Sequence, residues 1–242
     1  MTRRSILVCF AGALSRADSA KWVIADVTGH ILKSNWSNAG QAVGFGSLLK
    51  PFLALAYQAT HSQTPVIDCP GASAGCWYLT GHGRQDMVSA LANSCNVYFL
   101  HIAEQLNRAA LDLTCMSYGL ALPARSWPAS RLIGLGPGWP QTPSAVVRAF
   151  ASLAHNAAEP RARVVLTGML RCCESGTGRA IGLRCYAKTG TAAPLRSHDS
   201  GDGYVTAIFP VEQPRTVVLY SRHNTTGAEA AKDIKPLIAS LG

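Results

Sequence analysis

The sequence predicts an α+β fold, and three observations lead there. Strand signals gather near the two ends of the chain, two before residue 36 and three after residue 184, with helical periodicity between them. Apolar residues make up 48% of the chain and charged residues only 14%, enough to bury a sizeable core. No repeat, low-complexity tract or run of like charge interrupts the 242 residues, so one domain, built as one or two lobes, is expected.

Residues 1–20 read as an export signal. Thr2-Arg3-Arg4 forms a basic start, Ile6 to Leu14 an apolar stretch, and small residues around Ala17 and Ala20 offer cleavage sites. The apolar stretch is too short to anchor the chain across a bilayer. The mature domain is therefore expected to be 21–242, in the periplasm or cell envelope.

Lys21 to Asp26 and His30 to Asn35 alternate as strands, joined through Thr28-Gly29. A helix is expected to start at Ser47 and to run through Leu48, Leu49, Phe52, Leu53, Leu55 and Ala56. Residues 61–83 are rich in Pro and Gly and predict a loop. Helices from about Gln85 to Ala92 and from Val97 to Asn107 flank the break Asn93-Ser94-Cys95-Asn96. After a Pro- and Gly-rich stretch over 117–143, helices are expected from Pro143 to His155 and from about Val164 to Cys173. Strands at 185–191, Gly203–Phe209 and Arg215–Ser221 follow, and a helix from Gly227 to Leu241 closes the chain.

The net charge of +9 fits attraction to an anionic polymer or surface such as a cell envelope. Nucleic acid is not expected as a partner, because no recognition motif and no basic stripe with interleaved aromatics accompanies the charge. Beyond the export segment stand Cys69, Cys76, Cys95, Cys115, Cys172, Cys173 and Cys185. They contain no Cys-x-x-Cys pair and the histidines are scattered, so no metal site and no cofactor are expected. An exported chain could bridge Cys69 to Cys76, and Cys172 or Cys173 to Cys185, which leaves an odd thiol. Small buried apolar side chains are the alternative reading of these cysteines.

Three short stretches carry chemistry. In Gly46-Ser47-Leu48-Leu49-Lys50-Pro51-Phe52, Ser47 and Lys50 stand i and i+3, on one face of a helix, so that an amine can serve as base for a hydroxyl. Gly46 allows a tight entry, and Pro51 falls in the first turn, where a missing N–H is harmless. Ser-x-x-Lys alone would arise about 0.5 times by chance in such a composition, so it needs company. The break at 94–96 sets a hydroxyl and a carboxamide two residues apart, which by itself is also what a capping turn looks like. Lys188-Thr189-Gly190-Thr191, on a strand edge, offers positive charge, two hydroxyls for a carboxylate and a glycine that admits a close approach.

Ser47-x-x-Lys50, Ser94-Cys95-Asn96 and Lys188-Thr189-Gly190-Thr191, in that order, resemble the motif set of the penicillin-binding transpeptidase and serine β-lactamase superfamily. Gly81-His82-Gly83, the run Ser94 to Phe99, Gln141-Thr142-Pro143 and Glu174 to Gly178 resemble connecting segments of the transpeptidase branch. The resemblance covers residues 22–240. It implies a five-stranded antiparallel sheet flanked by helices, with a helical lobe carrying Ser47 and Ser94 and the site between the lobes. It implies Ser47 as nucleophile toward D-alanyl-D-alanine stem peptides or β-lactams, and Lys50 as general base. Ser94 would relay a proton to the leaving amine, and Asn96 would orient Lys50 and the substrate amide. Lys188 would add positive potential, Thr189 and Thr191 would hold the substrate carboxylate across Gly190, and the N–H groups of Ser47 and Thr191 would form the oxyanion hole.

The function expected is a serine D,D-transpeptidase or D,D-carboxypeptidase of peptidoglycan, working with cell-wall synthesis partner proteins and binding β-lactams covalently. A non-turnover penicillin-binding sensor or scaffold is the alternative class, and a β-lactamase a third. Glu159-Pro160 is superficially similar to the deacylating glutamate loop of class A β-lactamases, but its segment resembles the transpeptidase branch. A slowly hydrolysed acyl-enzyme is expected.

Overall fold

The computed structural model describes residues 20–136, 138–193 and 201–241. The expected export segment, Ala20 apart, lies outside them. Among the described residues no helix is long and apolar enough to cross a membrane.

Both ends of the described chain build one sheet. β1 (Ala20–Asp26) and β2 (Ile31–Ser34) form a hairpin. Asp26 fixes its turn by accepting from the backbone N–H groups of Thr28 and His30. β5 (Tyr186–Ala192), β6 (Asp202–Phe209) and β7 (Thr216–Arg222) follow late in the sequence. The order is β2-β1-β7-β6-β5, antiparallel at every pairing. This is the expected five-stranded antiparallel sheet, with β5 as an edge.

Helices cover both faces, and strand alternation shows why. Along β7, Val217 and Leu219 enter the larger core, while Val218 and Tyr220 enter a smaller one on the other face. Helix α6 (Pro143–His155) lies on the first face. On the second lie α8 (Gly227–Asp233), α9 (Lys235–Ala239) and the end of α7 (Pro160–Glu174), through Ala230, Ile234, Ile238 and Cys172. The expected C-terminal helix is thus two short ones, divided at Ile234 just before Lys235-Pro236.

The larger core continues into a helical lobe. It holds α1 (Lys50–Gln58), α2 (Met87–Ala92), α3 (Asn96–Glu104), α4 (Arg108–Ser117) and the single turn α5 (Ala129–Leu132). Two segments differ from expectation. The loop expected over 61–83 contains β3 (Ile67–Cys69) and the first residue of β4 (Gly83–Gln85), which pair as a small hairpin. Helix α4 was not expected at all. Asn107 starts it by accepting from the N–H of Ala110, and Ala110, Leu111 and Cys115 bury its inner face.

Candidate active site

The nucleophile candidate stands on a 3₁₀ helix, Gly46–Leu49, and not on the α-helix that the sequence suggested. The backbone N–H of Lys50 bonds to the carbonyl of Ser47, and α1 starts at Lys50 with Pro51 in its first turn. A 3₁₀ helix has three residues per turn, so its i and i+3 side chains eclipse. Ser47 and Lys50 are therefore stacked more directly than α-helical spacing would place them.

This turn is pressed against the edge strand. Gly46 has φ +56°, and a Cβ there would come within 2.0 Å of the Thr191 carbonyl oxygen. A Cβ on Gly190 would come within 2.3 Å of the Phe45 carbonyl oxygen. Only glycine permits both approaches. They set the turn that carries Ser47 directly against the strand at Gly190 and Thr191.

The break at 94–96 lies between α2 and α3. Ser94 occupies the left-handed region at φ +51°, a strained conformation for a side-chain-bearing residue. Ser94 and Asn96 are both buried. Lys50 Nζ donates to the Ser94 carbonyl at 2.9 Å and to Asn96 Oδ1 at 2.7 Å. Lys188 Nζ donates to Ser94 Oγ at 2.9 Å and to the Thr189 carbonyl at 2.8 Å. The sequence placed these five residues in three distant stretches; the fold joins them through two lysines.

Both lysines have 0% exposure, and among the described residues neither pairs with a carboxylate. Burial holds the Lys50 pKa well below the ordinary lysine range, and the charge of Lys188 lowers it further. Burial pushes Lys188 down to about 8. A neutral amine has two N–H groups and one lone pair. In its neutral form Lys50 would spend both N–H groups on Ser94 and Asn96 and keep its lone pair to accept a proton. Ser94 Oγ accepts from Lys188, so its own proton is free to be donated elsewhere.

A cleft of about 400 Å³ opens beside these groups. Ser47, Ser94, Asn96, Thr189, Gly190 and Thr191 line it, and Lys50 and Lys188 lie behind that lining. The Thr189 hydroxyl bonds to that of Thr177 at 2.6 Å, and Thr191 Oγ1 accepts from the N–H of Gly227 at 2.9 Å. Thr191 thus keeps its own hydroxyl proton for a ligand. Thr177, Leu135, Gly227 and Trp77 line the same cleft and were not singled out from sequence. Trp77 Nε1 donates to the Asn93 and Ser94 carbonyls, each at 3.2 Å. The Trp77-Tyr78-Leu79 triplet in a turn-rich loop was its only sequence signal.

Glu159 is elsewhere. It caps α7, accepting from the Ala162 N–H at 2.9 Å and from Arg161 Nε at 2.8 Å, and it lines a different hollow, beside Asn107 and Leu113. It is a helix cap and has no place at the cleft.

The cysteines correct one expectation. The seven described cysteines are free thiols, so the expected bridges are absent; Cys173 and Cys185 sit sulfur to sulfur at 3.4 Å. Cys69, Cys76, His82 and Cys95, scattered in sequence, bring their donor atoms within 4.8 Å of one another. The small hairpin and the N-terminus of α3 bring these four side chains together, a proximity that their spacing in the sequence does not reveal.

The model of the penicillin binding protein transpeptidase domain matches residues 41–239. No curated protein matches the chain. Among solved structures, the chain is similar to Pseudomonas aeruginosa PBP2 in complex with WCK 5153, at 18% identity and TM-score 0.77, over 93% of this chain and 74% of that one. It is similar to the Helicobacter pylori penicillin-binding protein PBP2 in complex with MreC, at 17% identity and TM-score 0.74. There it covers 92% of its own length and spans 60% of that chain. A peptidoglycan glycosyltransferase from Burkholderia ambifaria is similar at 20% identity and TM-score 0.72, over 92% of this chain and 89% of that one. At such identities the likeness speaks for the fold.

Proposed function

The chain belongs to the penicillin-binding protein transpeptidase family, and from that premise we propose that it is an acyl-serine D,D-peptidase of peptidoglycan stem peptides. The observation that carries this is Lys50, a fully buried amine that donates to the Ser94 carbonyl and to Asn96 Oδ1 and stands one 3₁₀ turn after Ser47.

In this reading Ser47 Oγ attacks the carbonyl carbon of the penultimate D-alanine while neutral Lys50 takes its proton. The oxyanion forms against the N–H groups of Ser47 and Thr191, each donor worth about 3 kcal/mol. Ser94 gives its proton to the departing amine and is replenished from Lys50. Asn96 holds Lys50 and the substrate amide. Lys188 and the Thr191 hydroxyl attract the substrate carboxylate, with Thr189 held by Thr177. D-alanine leaves, and an amine or water resolves the ester at Ser47. A β-lactam would enter the same step and form a long-lived adduct, because among the cleft-lining residues none is an Asp or Glu that could activate water.

Such a substrate lies outside the cytoplasm, which agrees with the export signal read in residues 1–20. That the Helicobacter pylori neighbour was solved with MreC supports a cell-wall assembly partner for this chain too. The test is incubation with a stem pentapeptide, with and without an amine acceptor, followed by measurement of free D-alanine and of crosslinked product. Release of D-alanine that disappears in Ser47→Ala is the expected result. Stoichiometric acylation by penicillin with no peptide turnover would replace this reading with the sensor or scaffold class, and many turnovers of penicillin would make it a β-lactamase.

A further inference from the structure

The loop between β3 and β4 carries the run Trp77-Tyr78-Leu79, whose side chains are 54%, 46% and 78% exposed. Among the described residues no other large exposed apolar side chains are adjacent in sequence. A single exposed apolar residue is ordinary, whereas a contiguous group marks a surface that meets something. The backbone holds this run outward. Gly71 has φ +94°, and a Cβ there would come within 2.3 Å of the Leu79 carbonyl oxygen, which accepts from the N–H of Ala72 at 3.2 Å. The Tyr78 carbonyl accepts from the N–H of Gly81 at 3.2 Å, and Trp77 Nε1 donates to the Asn93 and Ser94 carbonyls. These polar groups find their partners inside the protein, so the run can leave water without stranding them.

Three side chains are too few for a protein partner. A specific protein interface takes about 20–30 residues a side. Here the run stands on two three-residue strands that, among the described residues, pair only with each other. A lipid bilayer requires no matching surface. Tryptophan and tyrosine settle where headgroups meet acyl chains, with the ring in the apolar layer and the polar edge toward water, and an aliphatic side chain goes deeper. Charge points the same way. Arg179 lines one hollow with Trp77 and Tyr78 and makes no ion pair among the described residues. Asp68 and Arg84 face each other across the hairpin and offset one another. The chain as a whole carries +9, which favours a surface of anionic lipid.

We propose that Trp77, Tyr78 and Leu79 dock the protein on an anionic lipid bilayer, Leu79 entering the acyl-chain boundary, Tyr78 and Trp77 lying at headgroup level and Arg179 meeting the lipid phosphates. Trp77 also lines the cleft, so docking sets the mouth of the cleft at the bilayer surface. The docking goes beyond the acyl-serine reading and does not rest on it.

The test uses the full chain with vesicles of phosphatidylcholine, alone or mixed with phosphatidylglycerol. Wild type is expected to sediment with the mixed vesicles, and Leu79→Asp to bind them about tenfold more weakly. Arg179→Ser should lose part of the preference for mixed over neutral vesicles. Far-UV circular dichroism of Leu79→Asp should match wild type, which shows that the variant folds. Because the apolar stretch in residues 1–20 can itself touch lipid, the second measurement is quenching of tryptophan fluorescence by brominated acyl chains. That segment contains no tryptophan, so quenching that is lost in Trp77→Phe reports the loop. Equal sedimentation of wild type and Leu79→Asp, or no quenching by brominated lipid, overturns the docking. An unchanged preference in Arg179→Ser overturns the part given to Arg179. Absence of vesicle binding together with a dimer that Leu79→Asp abolishes in analytical ultracentrifugation would replace the bilayer with a second copy of this chain. Quenching by lipid in a protein that no penicillin acylates leaves the docking standing and refutes the acyl-serine reading.

Discussion

Lys50, Ser94, Asn96 and Lys188 are held together by hydrogen bonds from two amines whose pKa values burial lowers, and Ser47 stands one 3₁₀ turn before Lys50. Their titration should be visible in the rate. Acylation needs Lys50 without its proton, so the rate should rise with pH through the lowered Lys50 pKa. It should fall again above about 8, as Lys188 loses the charge that draws the substrate carboxylate. The second-order rate constant of acylation against pH is expected to be bell-shaped, and in Lys188→Arg, which keeps its charge, the descending limb should vanish. A wild-type rate that keeps climbing to pH 10 would contradict these roles. The five residues were legible in the sequence because their order and local spacing carry the pattern. Trp77, Thr177 and Leu135 were not, since each reaches the cleft from a loop or turn whose path the sequence does not specify. The grouping of Cys69, Cys76, His82 and Cys95 was hidden for the same reason: the four side chains converge only once the hairpin closes against α3.

At the scale of elements, the site depends on backbone contact between the 3₁₀ helix at 46–49 and β5. Gly190→Ala would drive a methyl group into the Phe45 carbonyl, 2.3 Å away, and move Ser47 off the strand edge. Acylation should drop about 100-fold, as expected for a displacement near 1 Å, while far-UV circular dichroism stays unchanged. An unaffected rate would mean that the turn has room to shift. Glu159→Ala removes the cap of α7 and should lower stability by about 0.5–2 kcal/mol in urea melts, with the lifetime of the penicillin adduct unchanged. A longer-lived adduct in that variant would give Glu159 a role in deacylation after all. Long periodic elements such as α1, α6 and β7 were readable from sequence. Three-residue strands such as β3 and β4 are too short to show a period, and α4 was masked by its mixed face, where Leu113 and Met116 are exposed. The 3₁₀ start before α1 was read as α-helix because both share the i, i+3 spacing.

For the molecule as a whole, the sheet gathers both ends of the described chain, and its edge strand β5 is where the helical lobe attaches. The larger core runs without a break from β7 through α6 into α1 and α3, so Ser47, Ser94 and Lys188 are held by one packed body although they come from three parts of the sequence. That continuity lets a strained turn at Ser94 and two uncompensated lysines persist, because the surrounding packing supplies the stability that the site itself lacks. The claim at the centre of this account is that the body presents Ser47 as a nucleophile. Intact-mass measurement over hours after mixing with a fluorescent penicillin, on wild type beside Ser47→Ala, tests it most directly. The account predicts one stable adduct on wild type and none on Ser47→Ala. An adduct on both proteins, or on neither, would contradict it.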